Sequence, residues 1–562
     1  MPVPLHVVLD PVVRAGLVDP ETANRVRRDV QQNRADPVQS LSLHGRVPVS
    51  SIYRAVAFDR GIEYVEGPRL ALRRELVRKI PRALVRRKAV LPVEERADAV
   101  LCAGCEIEGL GDAHLEEALR QAFGKPVRMA LADPGELRPL VEQALEEPSA
   151  APAAGAADPS AEDAVGFLAM IVREAFVHRA SDIHVEPEEK SCRIRFRIDG
   201  DLRVFRSGIP HALALAVVSR VKVLARMDIA ESREPQDGSF AWEVEGSGGR
   251  RFDVRVATAP TQHGERATLR LLGAEAVGLT LGDLGFAPAM GERFGELVRR
   301  PSGMVLLTGP TGSGKTTTLY AALREINGPR LNILTVEDPV EYLIPGVSQI
   351  GVDVAGKVTF ASALRSLLRH DPDVLMIGEI RDKETADIAL RAAVTGHLVF
   401  STLHTSTAVG TVTRLVDMGC EPYMVAATLT AAVSQRLVRR LCPGCRARRA
   451  AGAGELAFLR IAAGEAQVWE PRGCLRCQMT GFHGRIGIFE MFEVDDAVRE
   501  KVAAGLPERE VAQAATKLIT LRADAIDKVL AGVTTVAEAR RAVVLDQDWA
   551  APAPEPGGAE GG

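Results

Sequence analysis

The sequence is poor in aromatic side chains, has no excess of positive charge and contains no long apolar run. Only 4% of its 562 residues are Phe, Trp or Tyr, and 70 Lys and Arg face 74 Asp and Glu, for a net charge of −4. Nucleic-acid binding needs a basic surface and, for single strands, aromatic stacking platforms, so this class of function is disfavoured. A membrane span needs about 20 apolar residues, and the longest apolar stretches, such as residues 165–172, are about a third of that.

Cysteine is also scarce, and its placement is informative. Of eight cysteines, four form two Cys-x-x-Cys pairs near the carboxyl terminus, which is typical of a metal site rather than a disulfide framework. A further pair, Cys102 and Cys105, has no second pair nearby, which favours a structural role. The amino-terminal Met-Pro-Val-Pro-Leu-His lacks the basic and apolar stretches of a secretory signal. We therefore expect a cytoplasmic protein.

A phosphate-binding loop is the clearest motif in the chain. The apolar run Val305–Leu307 predicts a buried strand, and the residues that follow it fit G-x-x-x-x-G-K-[ST] and precede a predicted helix. Glycines let backbone N–H groups turn toward a phosphate, and the helix adds its unsatisfied amino-terminal amides. Lys315 is expected to reach the β- and γ-phosphates, and Thr316 offers a hydroxyl to Mg²⁺. The predicted nucleotide-binding residues are Gly309, Pro310, Thr311, Gly312, Ser313, Gly314, Lys315 and Thr316.

Acidic residues follow two further apolar runs. Glu337 ends the run that starts at Leu331, and Glu379 follows the run that starts after Asp373. The ends of parallel strands meet at the ligand-binding edge of a doubly wound sheet. Hydrolysis of a nucleotide needs a carboxylate that organises Mg²⁺ and a group that orients water, and these acids supply both. His397 and His404 bracket the next short strand, a placement that suits γ-phosphate sensing and ordinary structural hydrogen bonding equally.

Arginines alternate with apolar residues between residues 193 and 270. In Arg193–Ile198 and again in Arg251–Val256, period-two spacing puts arginines on one face of a small sheet and Ile, Phe and Val on the other. Most of these arginines are expected to pair with neighbouring acids. A guanidinium face beside a nucleotide site also suits a phosphate-sensing lid, for which the candidates are Arg195, Arg197, Arg255 and Arg270.

The two carboxyl-terminal cysteine pairs predict a structural zinc site. Cys442 and Cys445 are separated from Cys474 and Cys477 by residues 446–473. Four thiolates complete a tetrahedral Zn²⁺ site and leave no position open for catalysis. The alternative is four thiols without a metal.

Residues 70–88 form a basic segment. A solvated helix face interrupted at Pro81 is one interpretation, and a surface for an acidic partner or for lipid headgroups is the other. The basic residues are Arg73, Arg74, Arg78, Lys79, Arg82, Arg86, Arg87 and Lys88.

Several motifs resemble those of the type II/type IV secretion ATPase superfamily, which also includes pilus motors. Residues 335–341, 378–382 and 395–405 look like its aspartate box, Walker B motif and histidine box. Residues 180–187, 197–200 and 234–238 resemble its lid domain. Residues 261–266, 412–419 and 435–443 look closest to the type II secretion branch, with the pilus-extension branch as the near alternative.

The resemblance implies an α/β fold with a RecA-like P-loop core, preceded by a small α/β, PAS-like lid domain and an amino-terminal docking domain, and carrying a tetracysteine zinc insertion. It implies ATP, Mg²⁺ and structural Zn²⁺ as cofactors, with Glu337 orienting water and Glu379 serving Mg²⁺. The predicted catalytic residues are Lys315, Glu337, Glu379, His397, Arg255 and Arg270. The expected domains are docking (1–147), linker (148–163), lid (164–275), ATPase core (276–440), zinc insertion (441–485), carboxyl-terminal helices (486–545) and disordered tail (546–562).

The expected function is therefore that of a hexameric cytoplasmic ATPase that powers protein export by type II secretion, with pilus extension as the alternative. The resemblance implies a homohexamer on the cytoplasmic face of the inner membrane, where it meets the cytoplasmic domain of a bitopic platform protein and a polytopic membrane protein. A nucleic-acid-binding zinc protein with a regulatory nucleotide site is a different hypothesis, which the low aromatic content and the charge balance disfavour. An inactive scaffold is disfavoured because Lys315, Thr316, Glu337 and Glu379 are all present.

Overall fold

The computed structural model describes residues 3–109, 112–145, 161–244, 251–272, 278–352, 358–461 and 466–543. The expected linker lies outside these ranges up to residue 160, and the expected tail lies entirely outside them. The chain forms two compact units, and each contains two β-sheets. Within the described ranges, no helix is both long enough and apolar enough to cross a bilayer.

The first unit begins with a helical region and continues into two sheets. Its helices are α1 (Leu5–Arg14), α2 (Pro20–Asn33), α3 (Pro37–Gly45), α4 (Val49–Asp59), α5 (Arg74–Val77), α6 (Arg82–Lys88), α7 (Ala113–Phe123), α8 (Pro134–Leu145), α9 (Ala161–Val177) and α10 (His211–Leu224). Its strands are β1 (Glu63–Tyr64), β2 (Val90–Glu95), β3 (Val100–Gly104), β4 (Val127–Leu131), β5 (Ala180–Pro187), β6 (Cys192–Ile198), β7 (Asp201–Ile209), β8 (Gln236–Glu243), β9 (Arg251–Thr261) and β10 (Gly264–Leu272).

The basic segment is a pair of short helices interrupted before Pro81, because Pro81 precedes α6 and cannot continue a helix that began earlier. Lys79 and Lys88 pair with acids. Five exposed arginine side chains have no ionic or hydrogen-bond partner among the residues that the structure describes: Arg73, Arg74, Arg78, Arg86 and Arg87.

The six-stranded sheet of the first unit has the strand order β7-β6-β5-β10-β9-β8, and all its pairings are antiparallel. The predicted alternation is observed along β6, where Ile194, Phe196 and Ile198 are buried and the intervening arginines are partly exposed. The buried side chains pack in one hydrophobic cluster with residues of α9 and α10. The other sheet of this unit has the order β1-β4-β3-β2.

The second unit is built on a seven-stranded sheet. Its helices are α11 (Pro288–Val298), α12 (Lys315–Ile326), α13 (Phe360–Leu367), α14 (Lys383–Val394), α15 (Gly410–Asp417), α16 (Pro422–Thr428), α17 (Ala453–Leu459), α18 (Asp496–Ala503), α19 (Glu508–Ala514), α20 (Leu521–Leu530) and α21 (Val536–Val543). Its strands are β11 (Gly303–Thr308), β12 (Ile333–Glu337), β13 (Ser348–Gly351), β14 (Val374–Ile377), β15 (Leu398–Leu403), β16 (Leu429–Leu441), β17 (Ala447–Ala450), β18 (Gln467–Glu470) and β19 (Phe482–Glu493).

This sheet has the order β13-β12-β14-β15-β11-β16-β19, and its pairings are parallel except that of β19 with β16. Its central strands β11, β12, β14 and β15 are buried along nearly their whole length, as expected for parallel strands that are covered on both faces. Along β14, Leu375 and Ile377 belong to one hydrophobic cluster, whereas Val374 and Met376 belong to another. The shared direction of these strands brings the residues that follow β11, β12, β14 and β15 to one edge, here called the carboxyl edge.

Candidate nucleotide site

The loop between β11 and α12 has the backbone of a phosphate cradle. Gly309, Gly312 and Gly314 have φ values of +140°, +77° and +91°, which favour glycine. A Cβ at Gly309 would lie 2.5 Å from the carbonyl oxygen of Gln435. The hydroxyl of Ser313 is buried and has no hydrogen-bond partner among the described residues. A loop with positive φ at three glycines, no room for a Cβ at Gly309 and a buried hydroxyl without a partner among the described residues fits an anionic ligand.

Lys315 is the first residue of α12 and folds back over the loop. Its ammonium donates hydrogen bonds to the carbonyl oxygens of Gly309, at 2.8 Å, and Pro310, at 3.2 Å. Burial lowers the pKa of Lys315, and the nearby Glu379 only partly opposes that effect. Thr316 is exposed in the first turn of the helix, where its hydroxyl can reach a ligand.

The end of β15 is tied to the phosphate loop by hydrogen bonds. The backbone N–H of Thr405 donates to the hydroxyl of Thr308, the last residue of β11, over 2.8 Å. The hydroxyl of Thr308 in turn lies 3.0 Å from the carbonyl oxygen of Thr405. The segment that carries His404 is therefore held beside the start of the loop.

Glu379 lies at the carboxyl edge, just after β14. It pairs with Arg381, and its Oε2 atom lies 3.3 Å from Nε2 of His404. Burial, the largest influence, favours the neutral acid, but the hydrogen bonds from Arg381 and His404 outweigh it and hold the pKa of Glu379 below its usual value. Glu379 is partly exposed and ionised, as a ligand for Mg²⁺ must be.

Glu337 is the last residue of β12 and is only 3% exposed. Its carboxylate accepts hydrogen bonds from Tyr320, from Thr335 at 2.6 Å and from Gln349 at 3.1 Å. The carboxylate lies at the predicted edge of the sheet, but it is more enclosed than the sequence indicates.

His397 does not lie near the phosphate loop of its own chain. It precedes β15, whereas His404 follows it, so the two side chains lie at opposite edges of the sheet, about 20 Å apart. His397 Nδ1 lies 2.9 Å from the carbonyl oxygen of Ala392 and 3.2 Å from the hydroxyl of Thr395. These contacts are those of a residue that orders a turn. His397 therefore lies at the edge of the sheet away from the loop, whereas Lys315, Glu337 and Glu379 lie at the carboxyl edge.

Asp373 lies with His397 at the edge opposite the carboxyl edge, here called the amino edge. Its carboxylate accepts a hydrogen bond from the backbone N–H of Asn332 over 2.7 Å. It lines a cavity of about 500 Å³ together with His397, Arg299, Arg300 and other residues. Asp373 and His397 each precede a parallel strand, and that position alone places them at the edge away from the phosphate loop.

Sequence reasoning missed residues of β16 that contact the loop. Thr318 of α12 donates a hydrogen bond to the side-chain oxygen of Gln435 over 2.8 Å. Arg436 donates to the carbonyl oxygen of Ser406 over 2.8 Å. A cavity of about 340 Å³ beside the loop is lined by Pro310, Thr311, Gly312, Ser313, Arg436, Leu437, Glu538, Arg541 and Ala542. Residues 435–443 resemble a motif of the type II branch, but that resemblance does not indicate contact with the loop, which depends on the pairing of β16 with β11.

The arginine-faced sheet pairs its guanidiniums with acids on β5. Arg195 donates two hydrogen bonds, of 2.7 and 2.6 Å, to Glu186, and Arg270 donates one of 2.9 Å to Asp182. Arg255 lies directly across from Arg270 in the pairing of β9 with β10. Arg270 remains 59% exposed despite its partner. Pairing with acids, the commoner expectation, is therefore observed for Arg195 and Arg270.

The four predicted metal ligands come together. The Sγ atoms of Cys442, Cys445, Cys474 and Cys477 all lie within 4.8 Å of one another, an arrangement that could bind a metal ion. The Sγ atoms of Cys474 and Cys477 are 3.7 Å apart. Among the described residues, this is the one group of His, Cys, Asp and Glu side chains with that geometry.

Comparisons with known proteins agree with this site. Residues 160–541 match the family model described as type II/IV secretion system protein, and residues 60–151 match the MshEN domain. The type II secretion system protein E of Aeromonas hydrophila is 47% identical over 451 residues, which are 78% of this chain and 88% of that protein. The type IV pilus assembly ATPase PilB of Thermus thermophilus is 45% identical over 377 residues, which are 66% of this chain but 42% of that protein.

Among solved structures, the ATPase DotB of Legionella pneumophila superposes with a TM-score of 0.51 and 21% sequence identity, over 67% of this chain and 95% of DotB. At that identity the likeness concerns the fold alone. It supports an α/β fold for the matched part of the chain.

Proposed function

The chain belongs to the type II/IV secretion system protein family, and we propose that it is the ATPase that powers protein export by a type II secretion system. Family membership and the phosphate loop make it a P-loop ATPase that uses ATP and Mg²⁺. The similarity to the type II protein spans 78% of the chain, against 66% for the pilus protein, and the reciprocal coverage is 88% against 42%. This difference in coverage favours type II secretion over pilus extension.

The observation that carries the proposal is the convergence of the phosphate loop, Glu379 and His404 at one edge of a parallel sheet. In the proposed mechanism, the loop and Lys315 bind the phosphates, while Thr316 and Glu379 hold Mg²⁺. The metal ion offsets charge on the phosphate oxygens when it is bound. Glu337 orients the attacking water and accepts its proton.

We propose His404, rather than His397, as the histidine that meets the γ-phosphate. His404 is exposed, adjoins Glu379 and is tied to the phosphate loop through its neighbour Thr405. From the lid domain, the proposed phosphate-binding arginines are Arg255 and Arg270. The contacts of Arg270 support a phosphate-binding role. Asp182 accepts a hydrogen bond from one nitrogen of Arg270, and the side chain is otherwise largely exposed, so its remaining donors can reach an anion.

Zinc is the metal that we propose for the four cysteines. In a tetrahedral site with Zn–S distances of about 2.3 Å, the sulfur atoms are separated by about 3.8 Å. The 3.7 Å between Cys474 and Cys477 supports that geometry. Soft thiolate ligands without an oxygen ligand also favour zinc over Mg²⁺ or Ca²⁺. The role of the ion would be structural.

The proposed working form is a homohexamer on the cytoplasmic face of the inner membrane. The expected partners are the cytoplasmic domain of a bitopic platform protein and a polytopic membrane protein. Five arginines between residues 73 and 87 have no partner within the part of the chain that the structure describes, and they support an acidic docking partner at that surface. A cluster of such guanidiniums repels itself and gains free energy when an anionic surface covers it.

The enzymatic part of the proposal is tested with the purified full-length chain. Phosphate release from ATP should depend on Mg²⁺ and should be lost in Lys315→Ala. Double-stranded DNA should leave turnover unchanged, and stimulation by DNA would favour the alternative of a nucleic-acid-binding zinc protein. Normal turnover in Lys315→Ala would overturn the assignment as a P-loop ATPase.

The cellular part is tested by deletion of the gene. Loss of protein export with normal surface piliation supports type II secretion, and the reverse supports pilus extension. Capture of membrane proteins on a Glu337→Gln variant, which should bind ATP without turning it over, would then identify the platform components.

A further inference from the structure

A hydrogen-bonded cage encloses the carboxylate of Glu337. Tyr320, from the middle of α12, donates to Oε2. Thr335, two residues earlier in β12, and Gln349, in the neighbouring edge strand β13, donate to Oε1. Tyr320 and Thr335 are both 0% exposed, so solvent does not compete for these bonds. Three elements of the second unit therefore converge on one carboxylate.

Backbone amides fix the direction of two of the three hydrogen bonds in the cage, those from Gln349 and Tyr320. The N–H of Ile344 donates to the side-chain oxygen of Gln349 over 2.7 Å, which turns the amide nitrogen of Gln349 toward Glu337. The N–H of Glu341 points at the hydroxyl oxygen of Tyr320 over 3.2 Å, so the tyrosine proton is left for Glu337. A backbone N–H can only donate, and neither side chain can reverse its role without leaving that amide unpaired.

The donors in this cage are all uncharged. Among the described residues, no Lys, Arg or His side chain pairs with Glu337, in contrast to Glu379 and its partner Arg381. Burial, together with the hydrogen bond to Glu337, raises the pKa of Tyr320, which keeps its hydroxyl protonated and able to donate. A carboxylate held by neutral donors is fixed in orientation without forming an ion pair.

We propose that Tyr320 and Gln349 are positioning residues for ATP hydrolysis, which orient the Glu337 carboxylate toward the attacking water. This proposal rests on the proposed role of Glu337 as the group that orients water. Tyr320 lies five residues after Lys315 in the same helix, so the helix proposed to bind the phosphates also carries one of the three donors to the Glu337 carboxylate. The positions of base and phosphate are thereby set by one rigid element.

The test is a kinetic comparison of Tyr320→Phe with the unmodified full-length chain. The substitution removes only the hydroxyl, so the fold should be retained. We expect kcat to fall about 10-fold and the Kd for a slowly hydrolysed ATP analogue to stay within about 2-fold, because the phosphate loop is untouched. Gln349→Leu should produce the same split between kcat and Kd.

The matched control is Tyr53→Phe, which removes the hydroxyl of another buried tyrosine. Tyr53 is 6% exposed and donates its hydrogen bond to the carbonyl oxygen of Cys105 in the first unit. The Tyr53→Phe substitution should leave kcat unchanged. An equal loss of kcat in both tyrosine variants would show general destabilisation and overturn the positioning role.

A double-mutant cycle separates this proposal from the one on which it rests. Glu337→Gln alone should lower kcat by about 100-fold or more, and adding Tyr320→Phe should lower it by less than about 2-fold further, since a positioning residue has no effect once its target is gone. If the double variant instead loses kcat by the product of the two single-variant factors, the positioning role is overturned while Glu337 remains the base. Normal turnover in Glu337→Gln would instead overturn the assignment of Glu337, and the positioning role with it.

Discussion

The two edges of the seven-stranded sheet carry the same kinds of side chain and differ in what surrounds them. At the carboxyl edge, Glu379 and His404 lie 3.3 Å apart beside the phosphate loop. At the amino edge, Asp373 and His397 bond mainly to backbone groups, namely the N–H of Asn332 and the carbonyl oxygen of Ala392. Both pairs belong to the same two strands, β14 and β15. The comparison shows that the surroundings of a carboxylate or an imidazole depend on which end of a parallel strand the residue occupies.

The largest expected difference between the two edges comes from removing the ammonium group of Lys315 at the carboxyl edge. Lys315→Ala should lower kcat/KM by at least about 1,000-fold, because the phosphates lose their one charged contact from the loop. The control is Arg300→Ala, a cation that lines the amino-edge cavity, and it should stay within about 3-fold of the unmodified chain. Phosphate release under single-turnover conditions measures both.

The carboxylates give the next largest contrast. Glu379→Gln should lower kcat by about 100-fold and weaken the dependence on Mg²⁺, because a neutral amide is a poor ligand for that ion. Asp373→Asn keeps the oxygen that accepts from Asn332, so we expect near-normal kcat. Turnover titrated with Mg²⁺ distinguishes the two. The comparison fails if Asp373→Asn is as damaging as Glu379→Gln.

The histidines provide a smaller and more exacting contrast. His404→Ala should lower kcat by about 10-fold with little effect on thermal stability, because the side chain is exposed at the site. His397→Ala should lower Tm by a few degrees, through loss of its hydrogen bonds to the turn, with kcat per folded molecule unchanged. Thermal melts and kcat are measured on the same preparations. A large loss of kcat with normal Tm in His397→Ala would restore the sequence-based assignment.

The smallest expected effect is a pH dependence that only the carboxyl edge should show. Burial lowers the pKa of Lys315, and ATP binds the charged form of the side chain. As the pH rises through that lowered pKa, the ammonium is lost, so ATP affinity should weaken several-fold at a lower pH than an ordinary lysine would allow. Equilibrium binding of an ATP analogue from pH 7 to 10 checks this. A constant Kd over that range would contradict it.

Much of the core was predictable because its signals are local. The phosphate loop, the strand before it and the helix after it lie within one short segment, and the acids end apolar runs that read as buried strands. The four cysteines were also correctly grouped, since their spacing alone indicates a cluster. These features need no knowledge of which strands are neighbours.

The remaining features depend on neighbours that lie far apart in the sequence. Gln435 and Arg436 reach the loop because β16 pairs with β11, and Tyr320 reaches Glu337 across the gap between helix and strand. The local sequence does not predict these contacts. The position of His397 could also be predicted, because a residue that precedes a parallel strand lies at the amino edge once the direction of the strand is known.

One feature of the sheet shows where the cysteine-bearing segment is inserted in the fold. The strands β16 and β19 pair antiparallel, and their register runs out to Leu441 opposite Phe482. Residues 442–481, which hold all four clustered cysteines, therefore enter and leave at the closed end of a hairpin. In topological terms the segment is an enlarged turn. A short Asn-Gly connection in its place would leave every strand pairing of the seven-stranded sheet intact, while the separate two-stranded sheet of β17 and β18 would be lost with the segment.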